Sequence, residues 1–154
     1  MTVGGRHPLR DRGGFTLLEL VAVLFLAGIL VALVAPSFEA PLESARLRAG
    51  AAELCGTLSR ARTLAASGAR GHAVALDLEK GAYRIPGEDR VRSLPEGVRF
   101  ETVRVAGAAA EREATIRFYP DGAGEEAEIA LASHGGGRLR VTVDPLTGLA
   151  EAGT

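Results

Sequence analysis

The sequence holds no tryptophan, one cysteine and one methionine, and aromatics fill only 5% of its 154 positions. So few aromatics exclude the stacking platform that grips single-stranded nucleic acid. The lone Cys55 excludes an intrachain disulfide framework and any cysteine-built metal cage. His7, His72 and His134 are too scattered for a local metal motif. No H-E-x-x-H, Walker A or G-x-S-x-G run occurs, so no catalytic residue, metal or cofactor is expected. Charge of one sign is lacking too. Eighteen bases face 19 acids, net −1, which excludes a globally basic nucleic-acid binder but not a local patch.

The remaining composition is that of a folded chain, 47% hydrophobic and 24% charged, of a length suited to one domain plus an accessory segment. The average hides an asymmetry. Phe15 to Ala35 is a run of 21 residues whose only polar side chains are Thr16 and Glu19. As a helix it would extend about 31 Å, the thickness of a bilayer's hydrocarbon core. Arg6, Arg10 and Arg12 precede it, against Asp11, while Glu39 and Glu43 follow it before the first arginine, Arg46. That asymmetry predicts a cytoplasmic N-terminus and the bulk of the chain across the membrane.

A cleaved secretory signal would have a shorter apolar core, and a cut after Ala35 or Ala40 would place Pro36 or Pro41 directly behind it. A plain signal anchor leaves Glu19 unexplained, since a carboxylate inside an apolar span costs about 2.5–3.5 kcal/mol at mid-membrane. Two readings of Glu19 stay open. Thr16-Leu17-Leu18-Glu19 fits a capping box, with the acid favoured by the helix dipole. Alternatively the carboxylate has a partner outside its own helix.

Downstream, Leu47, Ala51, Leu54, Leu58, Ala61 and Ala65 recur at helical spacing, so 43–67 is predicted to be an amphipathic helix stopped by Gly68. Pro36 and Pro41 are expected to kink or interrupt the chain between the two helical halves. Cys55 lies beside the apolar face and reads as a small buried side chain rather than a reactive thiol. Alternation then predicts strands near 72–78, 82–85, 98–105, 114–119, 127–132 and 139–143. Within the third, either Thr102 or Val103 continues the inward face. Residues 106–113 read as a loop or short helix. Turns are expected at Lys80-Gly81, Pro120-Asp121-Gly122, Gly135-Gly136-Gly137 and Asp144 to Gly148. Asp121, Glu125, Glu126 and Glu128 read as a solvated acidic turn rather than a calcium site.

The run Arg12-Gly13-Gly14-Phe15-Thr16-Leu17-Leu18-Glu19-Leu20 resembles the prepilin cleavage and methylation motif of type IV pilins and type II secretion pseudopilins. The resemblance implies a prepilin peptidase cutting between Gly14 and Phe15, and N-methylation of Phe15. It implies that Glu19 pairs with a neighbouring subunit's new amine during filament assembly. Pro36 matches the helix-kinking proline common in these proteins. The region from Ile116 to Gly148, with its Pro120-Asp121-Gly122 and Asp144-Pro145 turns, resembles the H-type minor pseudopilins.

The implied architecture is α+β and type IV pilin-like, a long N-terminal helix with a membrane half and an amphipathic half packed on a C-terminal antiparallel β domain. Its segments would be a leader 1–14, a filament-core helix 15–35, an amphipathic helix 36–68 and a periplasmic domain 69–154. The implied role is that of a non-enzymatic structural subunit of the periplasmic pseudopilus. It would be held in the bacterial inner membrane and partnered by other major and minor pseudopilins. Without residues 1–14, which hold three arginines and one aspartate, 15 bases and 18 acids remain, net −3 before counting the new amine.

A second reading rests on Gly137-Arg138-Leu139-Arg140, which resembles the Gly-Arg-x-Arg signature of FimT-type minor pilins, linked to DNA binding during uptake. Residues two apart on a strand share a face, so Arg138 and Arg140 would point together at phosphates. The plainer account is a solvent-facing strand side with Leu139 and Val141 turned inward. The leader is checked by a mass spectrum of the purified membrane form, expected to show loss of residues 1–14 and gain of one methyl group.

Overall fold

The computed structural model describes residues 15–34, 39–68 and 70–153. The chain divides into two compact units, with the boundary between Phe38 and Glu39. The first unit contributes one helix, α1, Leu17–Val34. The second contains helix α2, Glu39–Gly68, followed by nine strands.

Strands β1 (His72–Asp77), β2 (Ala82–Arg84), β3 (Val91–Ser93) and β6 (Glu113–Phe118) form one antiparallel sheet in the order β3-β2-β1-β6. Strands β4 (Val98–Val105), β5 (Ala108–Ala110), β7 (Ala127–Ser133), β8 (Arg138–Val143) and β9 (Ala150–Gly153) form a second, ordered β5-β4-β7-β8-β9. Helix α2 packs against strands of both sheets. All six residues of its predicted apolar face, Leu47, Ala51, Leu54, Leu58, Ala61 and Ala65, are buried. They meet Val74, Leu76, Tyr83, Ile116 and Phe118 from the first sheet, and Val103, Ile129, Leu131, Val141 and Val143 from the second, in one core.

Pair registers keep that core continuous. Val74 lies opposite Ile116, Ile129 opposite Val141, and Leu131 opposite Leu139. A one-residue slip would turn every one of these side chains to solvent.

Three expectations need correction. Pro41 does not interrupt α2: it lies in the helix's first turn, where its missing N–H has no intrahelical partner to lose. Pro36 lies outside the described residues. Among the described residues the strands number nine, in two sheets, rather than about six. The three extra strands, β3, β5 and β9, are short edge strands with too few residues to show alternation. Residues 106–113 are neither loop nor helix throughout. They turn into β5, which pairs with β4 through Val105 and Ala108.

The ambiguity at Thr102 and Val103 resolves through a β-bulge. Phe100 pairs with Leu131 and Thr102 with Ala130, which leaves Glu101 as an extra residue in β4. Glu101 and Thr102 consequently both face out, and Val103 returns to the core.

The β4–β5 hairpin turns through Ala106 (φ 51°) and Gly107 (φ 79°). Positive φ at both central residues is the type I′ geometry that glycine and asparagine favour. Ala106 is the only non-glycine residue with positive φ among the described residues, and an L-alanine there costs about 1 kcal/mol. Ala106→Asn is expected to raise stability by about 0.5–1 kcal/mol, whereas Ala106→Val lowers it. Thermal melts of the two variants beside the parent check the sign of each.

Candidate functional site

Helix α1 begins with a cap. Thr16 Oγ1 accepts the backbone N–H of Glu19 at 3.2 Å, and Thr16 O accepts that of Leu20 at 3.1 Å. Thr16 is therefore the N-cap and Glu19 the third helical residue, so the Thr16 half of a capping box is made. Among the described residues, the Glu19 carboxylate accepts no hydrogen bond and forms no ion pair. It stands exposed at the helix's electropositive end, available to a cation from elsewhere. Gly14 lies outside the described residues. Phe15 is 80% exposed.

Below Glu19 the helix is apolar on every side. Leu17, Leu18, Leu20, Val21, Val23, Leu24, Phe25, Leu26, Ile29, Leu30 and Val31 are all exposed, and their positions cover the full circumference. A helix apolar all round is one that other matter must surround. Among the described residues no helix is long and apolar enough to cross a membrane. The 18 residues of α1 measure about 27 Å, short of a hydrocarbon core of roughly 30 Å.

In the second unit, Arg138 and Arg140 both point outward from β8, with Leu139 half-buried between them and Val141 buried. The shared face predicted from alternation is present. Neither guanidinium is free. Arg138 Nε and Nη2 donate to Glu101 Oε1 at 3.0 and 2.8 Å, and Arg140 Nη1 lies 2.9 Å from Glu128 Oε1. The two β8 arginines are thus each paired with a carboxylate, each exposed pair worth about 0–1 kcal/mol.

The acidic turn holds no ligand cluster. Asp121 Oδ1 accepts the N–H of Ala123, Glu125 accepts the backbone N–H and the guanidinium of Arg117, and Glu128 serves Arg140. Among the described residues there is no group of three or more metal-ligating side chains. His134 is exposed, and its N–H donates to Gly97 O. Burial is the main influence on Cys55 and Glu151 the second. Both push the thiol upward and keep it in its unreactive form.

Where the residue order shows only a turn signal, the structure has a braced loop pair. Asp144 Oδ1 accepts the N–H groups of Leu146 and Thr147 and the hydroxyl of Thr147. Arg62, on α2, donates from Nε to Thr147 O at 2.6 Å and to Gly122 O at 3.2 Å, tying both turns to the helix. Gly148 (φ 63°) is required there, because a Cβ would collide with Gly122 O. Asp144 four residues before Gly148 hinted at the local bonds. Nothing in the spacing from Arg62 to Thr147 hinted at the brace.

Comparison with known proteins adds two findings. Residues 9–35 match the prokaryotic N-terminal methylation motif. The fold is similar to that of the type IV minor pilin FimU of Pseudomonas aeruginosa PAO1, in two crystal forms. One gives a TM-score of 0.56 at 16% identity, covering 73% of this chain and 91% of that one. The other gives 0.53 at 16% identity, covering 70% and 93%. None of the curated proteins matches the chain by sequence. The chain therefore has the type IV pilin fold, a helix followed by antiparallel sheets, behind a prepilin-type N-terminus.

The hydrogen bonds from Thr147 and Leu146 hold the Asp144 carboxyl below its ordinary value of 3.8. A depressed carboxylate stabilises the fold fully above its unfolded value and progressively less as pH falls through its folded value. Asp144→Ala is therefore expected to lower the melting temperature at neutral pH. The gap to the parent should narrow as pH drops below about 3.8. Melts across an acid series check it, and a gap independent of pH would contradict the carboxylate's role.

Proposed function

We propose that the chain is an H-type minor pseudopilin, a structural subunit of the periplasmic pseudopilus of type II secretion, and that it is not an enzyme. The observation carrying this reading is the α1 surface, apolar on every side and headed by an exposed, unpaired Glu19 behind a prepilin-type motif. Prepilin peptidase would cut between Gly14 and Phe15, where a glycine lets the backbone lie against the enzyme without a side chain between them. The apolar run 15–35 would hold the protein in the inner membrane, N-terminus inward and C-terminal unit in the periplasm. Pro36 would kink the helix at the end of that run.

The chemistry of assembly follows from the low dielectric. Cleavage leaves a methylated, positively charged amine on Phe15 at the head of an apolar helix. Glu19 of one subunit and that amine of a neighbour are each costly when unpaired among packed helices. Pairing them satisfies both and fixes the axial register, because a shift by one helical turn separates the charges again. The rest of the α1 surface would be covered first by lipid and then by the helices of other major and minor pseudopilins.

The rival reading, a FimT-like minor pilin binding DNA through Arg138 and Arg140, draws support from their shared outward face. Their engagement with Glu101 and Glu128 counts against it, since phosphates would have to displace two carboxylates on a unit without excess positive charge.

Deletion of the gene, scored in one strain for release of secreted enzymes and for uptake of exogenous DNA, separates the two. Lost secretion with intact uptake is the expected result. Lost uptake with intact secretion would sink the pseudopilin reading, and Arg138→Gln with Arg140→Gln would then be the next variant. Glu19→Leu is expected to insert normally yet fail to enter the filament. Recovery of that variant in sheared filaments at the parental level would remove the pairing argument.

A further inference from the structure

A groove of about 550 Å³ lies where the chain leaves α2 and enters β1, lined by Arg70, His72, Ala73, Pro86, Arg117 and Tyr119 among others. Its volume is in the range of sites that hold small ligands or peptide side chains, roughly 300–1,000 Å³. Its lining carries two arginines and a histidine and not one carboxylate. That is unusual on a unit whose acids outnumber its bases. Of the carboxylates on adjoining segments, Glu125 is engaged by Arg117 and Glu88 by Arg60.

Three elements hold the groove open. Register places His72 opposite Phe118 and Ala73 opposite Arg117, so β1 and β6 form its floor. Pro86 and Gly87, just beyond β2, make one wall. Gly68, the last residue of α2, lies at the third side, where an added Cβ would come into ordinary contact with the stem of Arg70 and the ring of His72. Arg70 itself is exposed and forms no ion pair among the described residues. Tyr119 is exposed as well, although a tyrosine usually buries much of its ring.

We propose that this groove receives a short extended segment of a partner protein in which a carboxylate sits beside an apolar side chain. Arg70 would take the carboxylate by charge-assisted hydrogen bonds, with His72 as a second donor. Ala73, Pro86 and Tyr119 would receive the apolar neighbour. A nucleic-acid strand suits the groove less well. Three basic groups in one recess do not track a phosphate backbone. The inference goes beyond the filament reading, because a site on the second unit stands whether or not α1 enters a filament.

The test uses the full chain in detergent micelles and follows fluorescence anisotropy of a labelled hexapeptide of alternating glutamate and leucine. Its controls are the lysine–leucine counterpart and a labelled single-stranded DNA 20-mer. Saturable binding of the glutamate peptide is expected, weakened on the order of tenfold or more by Arg70→Glu and less by His72→Gln. Both variants should melt at the parental temperature, because neither side chain belongs to the core. Four outcomes would each overturn the proposal: no saturable binding of the glutamate peptide, equal binding of the lysine peptide, indifference to Arg70→Glu, or preferential binding of the DNA.

Discussion

One face of α2 organises the folded unit. Leu47, Leu54 and Leu58 supply apolar bulk, while Ala51, Ala61 and Ala65 let the strands come close between them. Both sheets direct their inward residues onto this stripe, so the helix joins two sheets that would otherwise each have a bare face. A β-sheet with one unburied apolar face is not independently stable in water. Removing the stripe would therefore leave neither sheet with a core. The leucines each bury enough surface to contribute about 1.5–3 kcal/mol. The alanines matter through the approach they permit, as does Gly50, where a Cβ would press on Pro95.

Helix α1 presents the opposite situation. Its apolar side chains lie on every side, and its single carboxylate stands at the capped end without a partner among the described residues. Within a soluble protein such a surface drives aggregation. Within lipid or a helix bundle it is the normal lining, and the acid becomes the one group that distinguishes one axial position from another. The same physical rule, that buried polar groups must be paired, thus gives α1 a stability problem when alone and a positional signal when packed.

The exterior of the second unit is more restrained than its charge content suggests. Arg138, Arg140, Arg117, Arg60 and Arg92 are each committed to a carboxylate of the same chain. Arg62 is committed to backbone carbonyls instead, and that choice fixes two turns far apart in sequence. Turns held in this way keep their shape without a partner, so a docking surface nearby needs little reordering on binding. Arg70 forms no such pair among the described residues, and it stands at a groove whose lining holds no carboxylate.

The parts governed by local periodicity and by one-dimensional spacing are legible in the residue order. The buried stripe of α2 was readable residue by residue, as were the longer strands, the turn at Pro120 to Gly122, and the motif from Arg12 to Leu20. Each depends on neighbours three, four or two positions away, and those neighbours are visible in the chain. Tertiary structure alone decided the division into two sheets, the edge strands β3, β5 and β9, the bulge at Glu101, and the partners of Arg62, Arg138 and Arg140. Such features depend on residues tens of positions apart meeting across a core. Short edge strands carry too few residues to alternate, and an arginine's reach toward a carboxylate or a carbonyl leaves no periodic trace. Local hydrogen bonding and burial are written into residue order, whereas long-range pairing is set only when the sheets close on the helix.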